Sequence, residues 1–293
     1  MIDRSVCRLI NFLAWLLVVA ITPFSHAASS EAEAAARRTL DSFMVAWNQA
    51  DNVELRKAMN FPNVTLAGSR MIIANEPEDF STDFERMREQ EGWAKSSFDR
   101  ITVTRSAPEK VHCNVVYSRR KADGSAYRTA TVFYVITKKD DHWGMQFRGP
   151  GIVPSEPLSA DQRQAVVSAE EAVQQFFTAF NGADNAALLD TLNLPHAFLL
   201  DNGALAAAHD PSGPLVAMDF DGMREREGWH MSSIDSLTPV QVSPGSVSFE
   251  LVFSRYHQNG MKYRTVPALW VLTDKEGHWG VQFRSLMPAT YSD

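Results

Sequence analysis

The stretch Met87-Arg88-Glu89-Gln90-Glu91-Gly92-Trp93 returns 136 residues later as Met223-Arg224-Glu225-Arg226-Glu227-Gly228-Trp229. The same offset carries Ser118–Arg148 onto Ser254–Arg284 with 15 of 31 positions identical, where average composition gives about two. Upstream, Trp47-Asn48-Gln49-Ala50-Asp51-Asn52 matches Phe180-Asn181-Gly182-Ala183-Asp184-Asn185 at an offset of 133. The extra three residues of the second copy fall near Ala206–Leu215, read as a loop. The chain is therefore one unit written twice.

Each copy spans about 120 residues, an ordinary domain size. The expected organisation is a first domain over 28–149, a linker over 150–164 that starts from Gly149-Pro150-Gly151, and a second domain over 165–293. Within a copy, helices come first. Ser30-Glu31-Ala32-Glu33 and Ser168-Ala169-Glu170-Glu171 have the serine-to-glutamate spacing of capping boxes. Behind them, Leu40, Phe43, Met44 and Trp47, or Val173, Phe176, Phe177 and Phe180, form one apolar stripe. A short second helix starts at Asp51 or Asp184 and stops before Pro62 or Pro195. A small hairpin turns near Gly68 or Asn202-Gly203, and a third helix ends at Gly92 or Gly228 in a left-handed cap. Three long strands close each copy, the first two joined by Asp123-Gly124 or Asn259-Gly260, which signal type I′ turns.

This order, ending in His-Trp-Gly-x-Gln-Phe-Arg, resembles the nuclear transport factor two-like cone fold, a superfamily that includes SnoaL-like cyclases and ketosteroid isomerases. The resemblance implies an α+β chain of two tandem cones, each with helices packed on the concave face of a curved antiparallel sheet. It also implies a pocket in each cone and pairing through the convex faces, here as an internal pseudo-dimer. The isomerases' catalytic set and the Asp-Arg-Asp set of related epoxide hydrolases do not map onto positions here.

With tight turns, Val111, Cys113, Val115, Tyr117 and Arg119 face Ile136, Tyr134, Val132, Ala130 and Arg128. The second copy sets Val247, Phe249, Leu251, Phe253 and Arg255 against Leu272, Trp270, Ala268, Val266 and Arg264. Each apolar face ends in two opposed arginines, an arrangement that costs some tenths to about 1 kcal/mol unless an anion lies between them. Glu91 and Glu227 stand at the C-terminal end of a helix, where a carboxylate opposes the dipole. Two readings stand: an Arg–Glu–Arg network tying the third helix to the sheet, or an arginine-guarded pocket mouth gripping a carboxylate or phosphate. The candidate ligand site is Glu91, Trp93, Tyr117, Arg119 and Arg128 with Glu227, Trp229, Phe253, Arg255 and Arg264. Trp93 and Trp229 also suit cap packing. On the last strand, Trp143, Met145 and Phe147 are expected on the apolar face. His142, Gln146 and Arg148 then fall on a polar convex face between the halves, as do His278, Gln282 and Arg284.

Residues 1–27 have a signal peptide's layout: Arg4 and Arg8, an apolar run from Leu9 to Ile21, then Ser25-His26-Ala27. That run is shorter than the roughly 20 residues a membrane span needs. The expectation is an exported, periplasmic or extracellular protein with no span left after cleavage. Composition is that of a globular chain: 45% apolar, 22% charged and a net charge of −7, which speaks against a general nucleic-acid binder. Cys7 belongs to the signal, so Cys113 is left as an inert thiol with no disulfide. No histidine spacing suits a metal, and no nucleotide loop or serine elbow occurs, so no cofactor is expected. The leading functional expectation is non-catalytic: binding of a small amphipathic or anionic molecule, or a partner-binding scaffold. The alternative is an acid–base isomerase, cyclase or hydrolase acting on a lipophilic substrate.

Overall fold

A computed structural model describes residues 24–151, 157–214 and 216–292. Almost all of the segment read as a signal peptide, and the middle of the expected linker, lie outside the described residues. In the first half, α1 (Phe24–Gln49) and α2 (Asn52–Lys57) precede the hairpin β1 (Met59–Ala67) and β2 (Arg70–Ala74). Then come α3 (Phe84–Glu91), β3 (Lys95–Ala107), β4 (Lys110–Arg120), β5 (Ala126–Lys139) and β6 (His142–Gly151). The second half repeats this as α4 (Ala160–Asn181), α5 (Asn185–Leu189), β7 (Leu192–Leu199), β8 (Leu205–Ala208) and α6 (Phe220–Glu227). It closes with β9 (Met231–Ser243), β10 (Ser246–Tyr256), β11 (Lys262–Lys275) and β12 (His278–Leu286), plus a short β13 (Thr290–Tyr291).

The two sheets have the same order, β2-β1-β6-β5-β4-β3 and β8-β7-β12-β11-β10-β9, with β13 added beside β11. They are antiparallel except where the last strand meets the hairpin: β1–β6 and β7–β12 run parallel. Gly144 allows that contact, because a Cβ there would stand 2.5 Å from the Met59 carbonyl carbon. The long helices start earlier than the serine signals implied. Ser30 lies inside α1, and α4 is capped by Ser159 with Gln162 in a reciprocal box. The last five residues of the expected linker, 160–164, are thus helical. The Gly92 and Gly228 caps are as read, with φ of 68° and 63°.

Each long helix lays its apolar stripe on one sheet face. Leu40, Phe43 and Trp47 join Val111, Cys113, Val115, Val132, Tyr134 and Met145 in the first core. Val173, Phe176 and Phe180 do the same over Phe249, Leu251, Trp270 and Val281 in the second. Burial pushes the Cys113 thiol up to about 12, leaving it protonated at neutral pH.

A third core joins the halves through the opposite sheet faces. It contains Val64, Leu66, Phe133, Val135 and Phe147 from one half and Ala197, Leu199, Leu269, Val271 and Phe283 from the other. The Phe147 and Phe283 rings stack 3.8 Å apart. Polar groups surround this centre: Gln146 donates to the Gly203 carbonyl at 3.0 Å and Gln282 to the Ser69 carbonyl at 2.9 Å. The internal pseudo-dimer is therefore an apolar sandwich with a polar margin, not the polar convex interface read from the sequence. His142 and His278 take no part in it. His142 meets Asn60 Oδ1 and the Lys57 carbonyl, both at 2.9 Å. His278 does the same with Asn193 and Asp190, so each histidine ties its last strand to the segment after the second helix.

The interface is unsymmetrical at Lys110, as it is where Arg105 pairs with Glu250 on one side and Gln241 with Asn114 on the other. Lys110 is fully buried there, donating to the carbonyls of Leu200 and Leu286, and His112 reaches Ser285 Oγ at 3.2 Å. The repeat places Ser246 and Ser248 at the corresponding positions. Burial lowers the Lys110 pKa to about 7. Between that value and about 10.4 the unfolded chain holds a proton the folded chain lacks, so stability should rise with pH across this window. Melting curves from pH 6 to 9 should show that rise in the parent and a flatter profile in Lys110→Met; parallel profiles would count against the assignment. Severing the chain within 152–156 should give halves that stay associated through the Phe147–Phe283 core on size exclusion. Two separate monomers would contradict it.

Candidate functional site

The opposed arginines occur in the expected register, Arg119 with Arg128 and Arg255 with Arg264. The turns that set it differ from those expected. Lys121 N–H donates to the Ser125 carbonyl and Gly124 N–H to the Lys121 carbonyl, and only Gly124 has a positive φ. This is a three-residue loop ending in a left-handed glycine. A bulge then follows: Arg120 pairs with Ala126 and Arg119 with Arg128, leaving Tyr127 as the extra residue. Tyr263 is its counterpart. A bulge re-aims side chains, and both tyrosines reach the glutamates that the arginines address.

Glu91 Oε2 accepts from Arg119 Nη1 and from the Tyr127 hydroxyl, both at 2.9 Å. Glu227 Oε2 accepts from Arg255 at 2.6 Å and Tyr263 at 3.1 Å, with Arg264 Nη1 at 3.6 Å. Partial burial alone would raise the Glu91 pKa. The hydrogen bonds from Tyr127 and Arg119, with the charges of Arg119 and Arg128, outweigh it and hold the carboxyl below its usual range. Glu227 is also held low, burial being outweighed chiefly by Arg255. Burial and the Glu227 contact together push the Tyr263 hydroxyl up to about 12, although Arg255 pulls it down. In the second half the protein's own glutamate lies between both arginines, whereas in the first Glu91 is bonded to Arg119 alone and Arg128 adds only a longer-range charge.

The predicted site residues separate accordingly. Trp93 and Trp229 are buried over the end of the third helix, their Nε1–H groups donating to Ser96 and Ser232 Oγ at 2.9 and 3.0 Å; neither is in the lining of the cavity in its cone. Arg128 is exposed, and Arg264 lies over the Tyr291 ring. Arg119 and Tyr117, and likewise Arg255 and Phe253, line the inside of their cones.

Each cone contains a cavity between helix and sheet. The first measures about 20 Å³ and is lined by Phe43, Trp47, Phe98, Tyr117, Tyr134 and Arg148, among others. The second measures about 70 Å³ and is lined by Phe176, Phe180, Phe253, Trp270, Arg255 and Arg284, among others. Eight of the first cavity's nine lining residues have repeat counterparts lining the second; the exception is Phe98, replaced by Ile234. Phe98 stacks on Phe43 and packs edge-on to Tyr134, filling space that Ile234 leaves. One water needs roughly 10–15 Å³, so the first cone has room for little more than that and the second for a larger guest.

Arg148 and Arg284 were expected on the outer face. The last strand bulges after Met145, so that Ile136 pairs with Met145 but Val135 with Phe147 and Tyr134 with Arg148. A matching irregularity follows Val281. The extra residue, Gln146 or Gln282, exchanges the faces beyond it, sending Phe147 and Phe283 outward and both arginines inward. Arg148 lies over the Trp47 ring. Arg284 is only 6% exposed and packs against Phe176, Phe198 and Trp270. Its Nε donates to His196 Nε2 at 3.2 Å. His196 Nδ1 stands 3.0 Å from the Val281 carbonyl, which fixes the proton on Nδ1 and leaves Nε2 to accept. Burial, then the Arg284 charge, keeps His196 neutral well below its ordinary range.

No protein-family model matches the chain, and a comparison with curated proteins finds no match. Similar solved structures do exist. The fold they carry is nuclear transport factor two-like, also called cystatin-like. One is such a protein from Novosphingobium aromaticivorans, at 12% identity over 43% of this chain and 82% of that one, with a TM-score of 0.36. Another is a domain of unknown function from Nostoc punctiforme, at 14% identity over 50% and 98%, TM-score 0.35. A third, of unknown function, is from Shewanella oneidensis, at 11% identity over 40% and 97%, TM-score 0.32. Each spans half of this chain or less, the length of one repeat.

Among the described residues no helix is long and apolar enough to cross a membrane, and no three His, Cys, Asp or Glu side chains gather as a metal site. Replacing Arg119 with Gln should cost about 1.5–3 kcal/mol, the range for a hydrogen bond to a charged group; an unchanged melting temperature would remove Arg119 from the network. Because Glu227 is held below its unfolded value, its contribution is present above that value and fades as pH falls through the folded one. Glu227→Gln should therefore lose less stability than the parent between pH 5 and pH 3.

Proposed function

We propose that the protein is exported and works by binding, its apolar cones taking a small anionic or amphipathic molecule. The observation that carries this reading is the correspondence of the two cavities: both are apolar, both have two inward arginines, and neither lining includes an Asp or Glu. General acid–base chemistry on a lipophilic substrate needs a carboxylate of raised pKa inside the cavity. Glu91 and Glu227, the carboxylates bonded to the lining residues Arg119 and Arg255, are held low by arginines. A mostly apolar recess with few polar groups is the usual form of a small-molecule site. Export is supported by the charge and hydropathy pattern of residues 1–27.

Native mass spectrometry of the protein recovered from the periplasm of a bacterial host tests both parts. The expected species begins at Ala28 and carries a small retained mass that is released on denaturation. Recovery of the chain from the cytoplasm alone, still starting at Met1, would overturn export, and a bare chain, unchanged by incubation with small amphipathic anions, would overturn binding.

A further inference from the structure

The two cones are not equivalent, and the second has the more specific chemistry. In the first, Phe98 closes the space to about 20 Å³. In the second, about 70 Å³ remains beside a guanidinium nine-tenths buried and paired with no carboxylate among the described residues. Removing such a charge from water without an anion is strongly unfavourable. Cation–π contacts and one bond to a neutral histidine offset part of that cost. The Arg284 Nε is engaged by His196, while its two Nη groups have no hydrogen-bond acceptor among the described residues. Burial lowers the Arg284 pKa, but only to about 10, so the charge persists at neutral pH. Two further donors on the same lining lack acceptors, Trp270 Nε1–H and Arg255 Nε–H.

We propose that the second cone is a binding site for a small monocarboxylate with a flat or short apolar body, its carboxylate held by Arg284 and its body packed among Phe176, Phe177, Phe198 and Phe253. This rests on the binding function proposed above and adds the ligand class and the half that takes it. A carboxylate matches the paired Nη donors of a guanidinium. One buried positive charge is balanced by a monoanion, whereas a dianionic phosphate would leave a buried negative charge in an aromatic lining. Arg255 does not supply a second free charge, being engaged by Glu227. His196 serves as a positioning residue: held by the Val281 carbonyl, it fixes the guanidinium with its forked Nη face left for the anion.

The test uses the intact chain and titration calorimetry with benzoate and butyrate, with benzamide as the neutral isostere and phenyl phosphate as the dianion. Expected is one benzoate per chain and at least tenfold weaker binding of benzamide and phenyl phosphate. Arg284→Gln and Ile234→Phe should each lose benzoate by tenfold or more. Ile234→Phe keeps the buried arginine and refills the cone as Phe98 does, so it covers the case in which Arg284→Gln fails to fold. Benzamide binding as well as benzoate would overturn the carboxylate class while leaving cone binding in place. Benzoate lost in Arg148→Gln but kept in Ile234→Phe would move the site to the other half. Failure of both carboxylates to bind, with a different retained mass seen on native mass spectrometry, would overturn this inference alone; failure of every probe with no retained mass would overturn both.

Discussion

A single extra residue in the last strand of each half decides where the rest of the molecule can go. Up to Met145 and Val281 the strand presents its apolar residues to the helix; beyond Gln146 and Gln282 the faces are exchanged. The phenylalanines are thereby released to stack against each other between the sheets, and the arginines are carried into the cones. Had the strand stayed regular, Phe147 and Phe283 would crowd the cones and two guanidinium groups would have to be buried between the halves. The bulge residue itself is not idle: each glutamine accepts from a threonine of its own sheet and donates across to the other half. One irregularity therefore fixes the interface, the charge inside the cone and the polar margin together.

Much of this architecture can be read from residues alone. The repeat, the element order, the Gly92 and Gly228 caps, and the register opposing Arg119 to Arg128 and Arg255 to Arg264 follow from spacing. So does the pairing of glutamate with arginine, because two locally unfavourable features at matched positions call for each other. What escapes is whatever depends on a strand losing its alternation. A bulge adds one residue without a change in composition, so Arg148 and Arg284 look outward in any regular reading, and Tyr127 and Tyr263 look uninvolved. The helix starts are missed for another reason. The Ser30 and Ser168 patterns are consistent with a cap, but continued apolar contact upstream, through Ala165 in α4, keeps the helix going past them. Cavity size is beyond the sequence too, since it turns on whether Phe98 or Ile234 fills the space beneath the helix.

The two arginines of each cone do different work for a common reason, the price of burying charge. Arg119 and Arg255 reach a carboxylate at the helix end and so lock α3 and α6 to the sheet, a role in stability. Arg148 and Arg284 meet aromatic faces, which soften desolvation without neutralising the charge. The first kind closes the cone; the second leaves it electrostatically incomplete, and most so in the second half, where the recess is larger.

Fusion of the halves also changes what divergence can achieve. In a true twofold dimer every residue at the contact is present twice, so a buried lysine such as Lys110 would be accompanied by its symmetry mate and each copy would need both the lysine and its carbonyl socket. Joining the copies in one chain lifts that requirement. One half could then acquire Lys110 and His112 while the other kept Ser246 and Ser248, and one cone could fill while the other stayed open. A duplicated protein of this kind can give scaffolding to one copy and leave the other to acquire selectivity, without assembly ever depending on concentration.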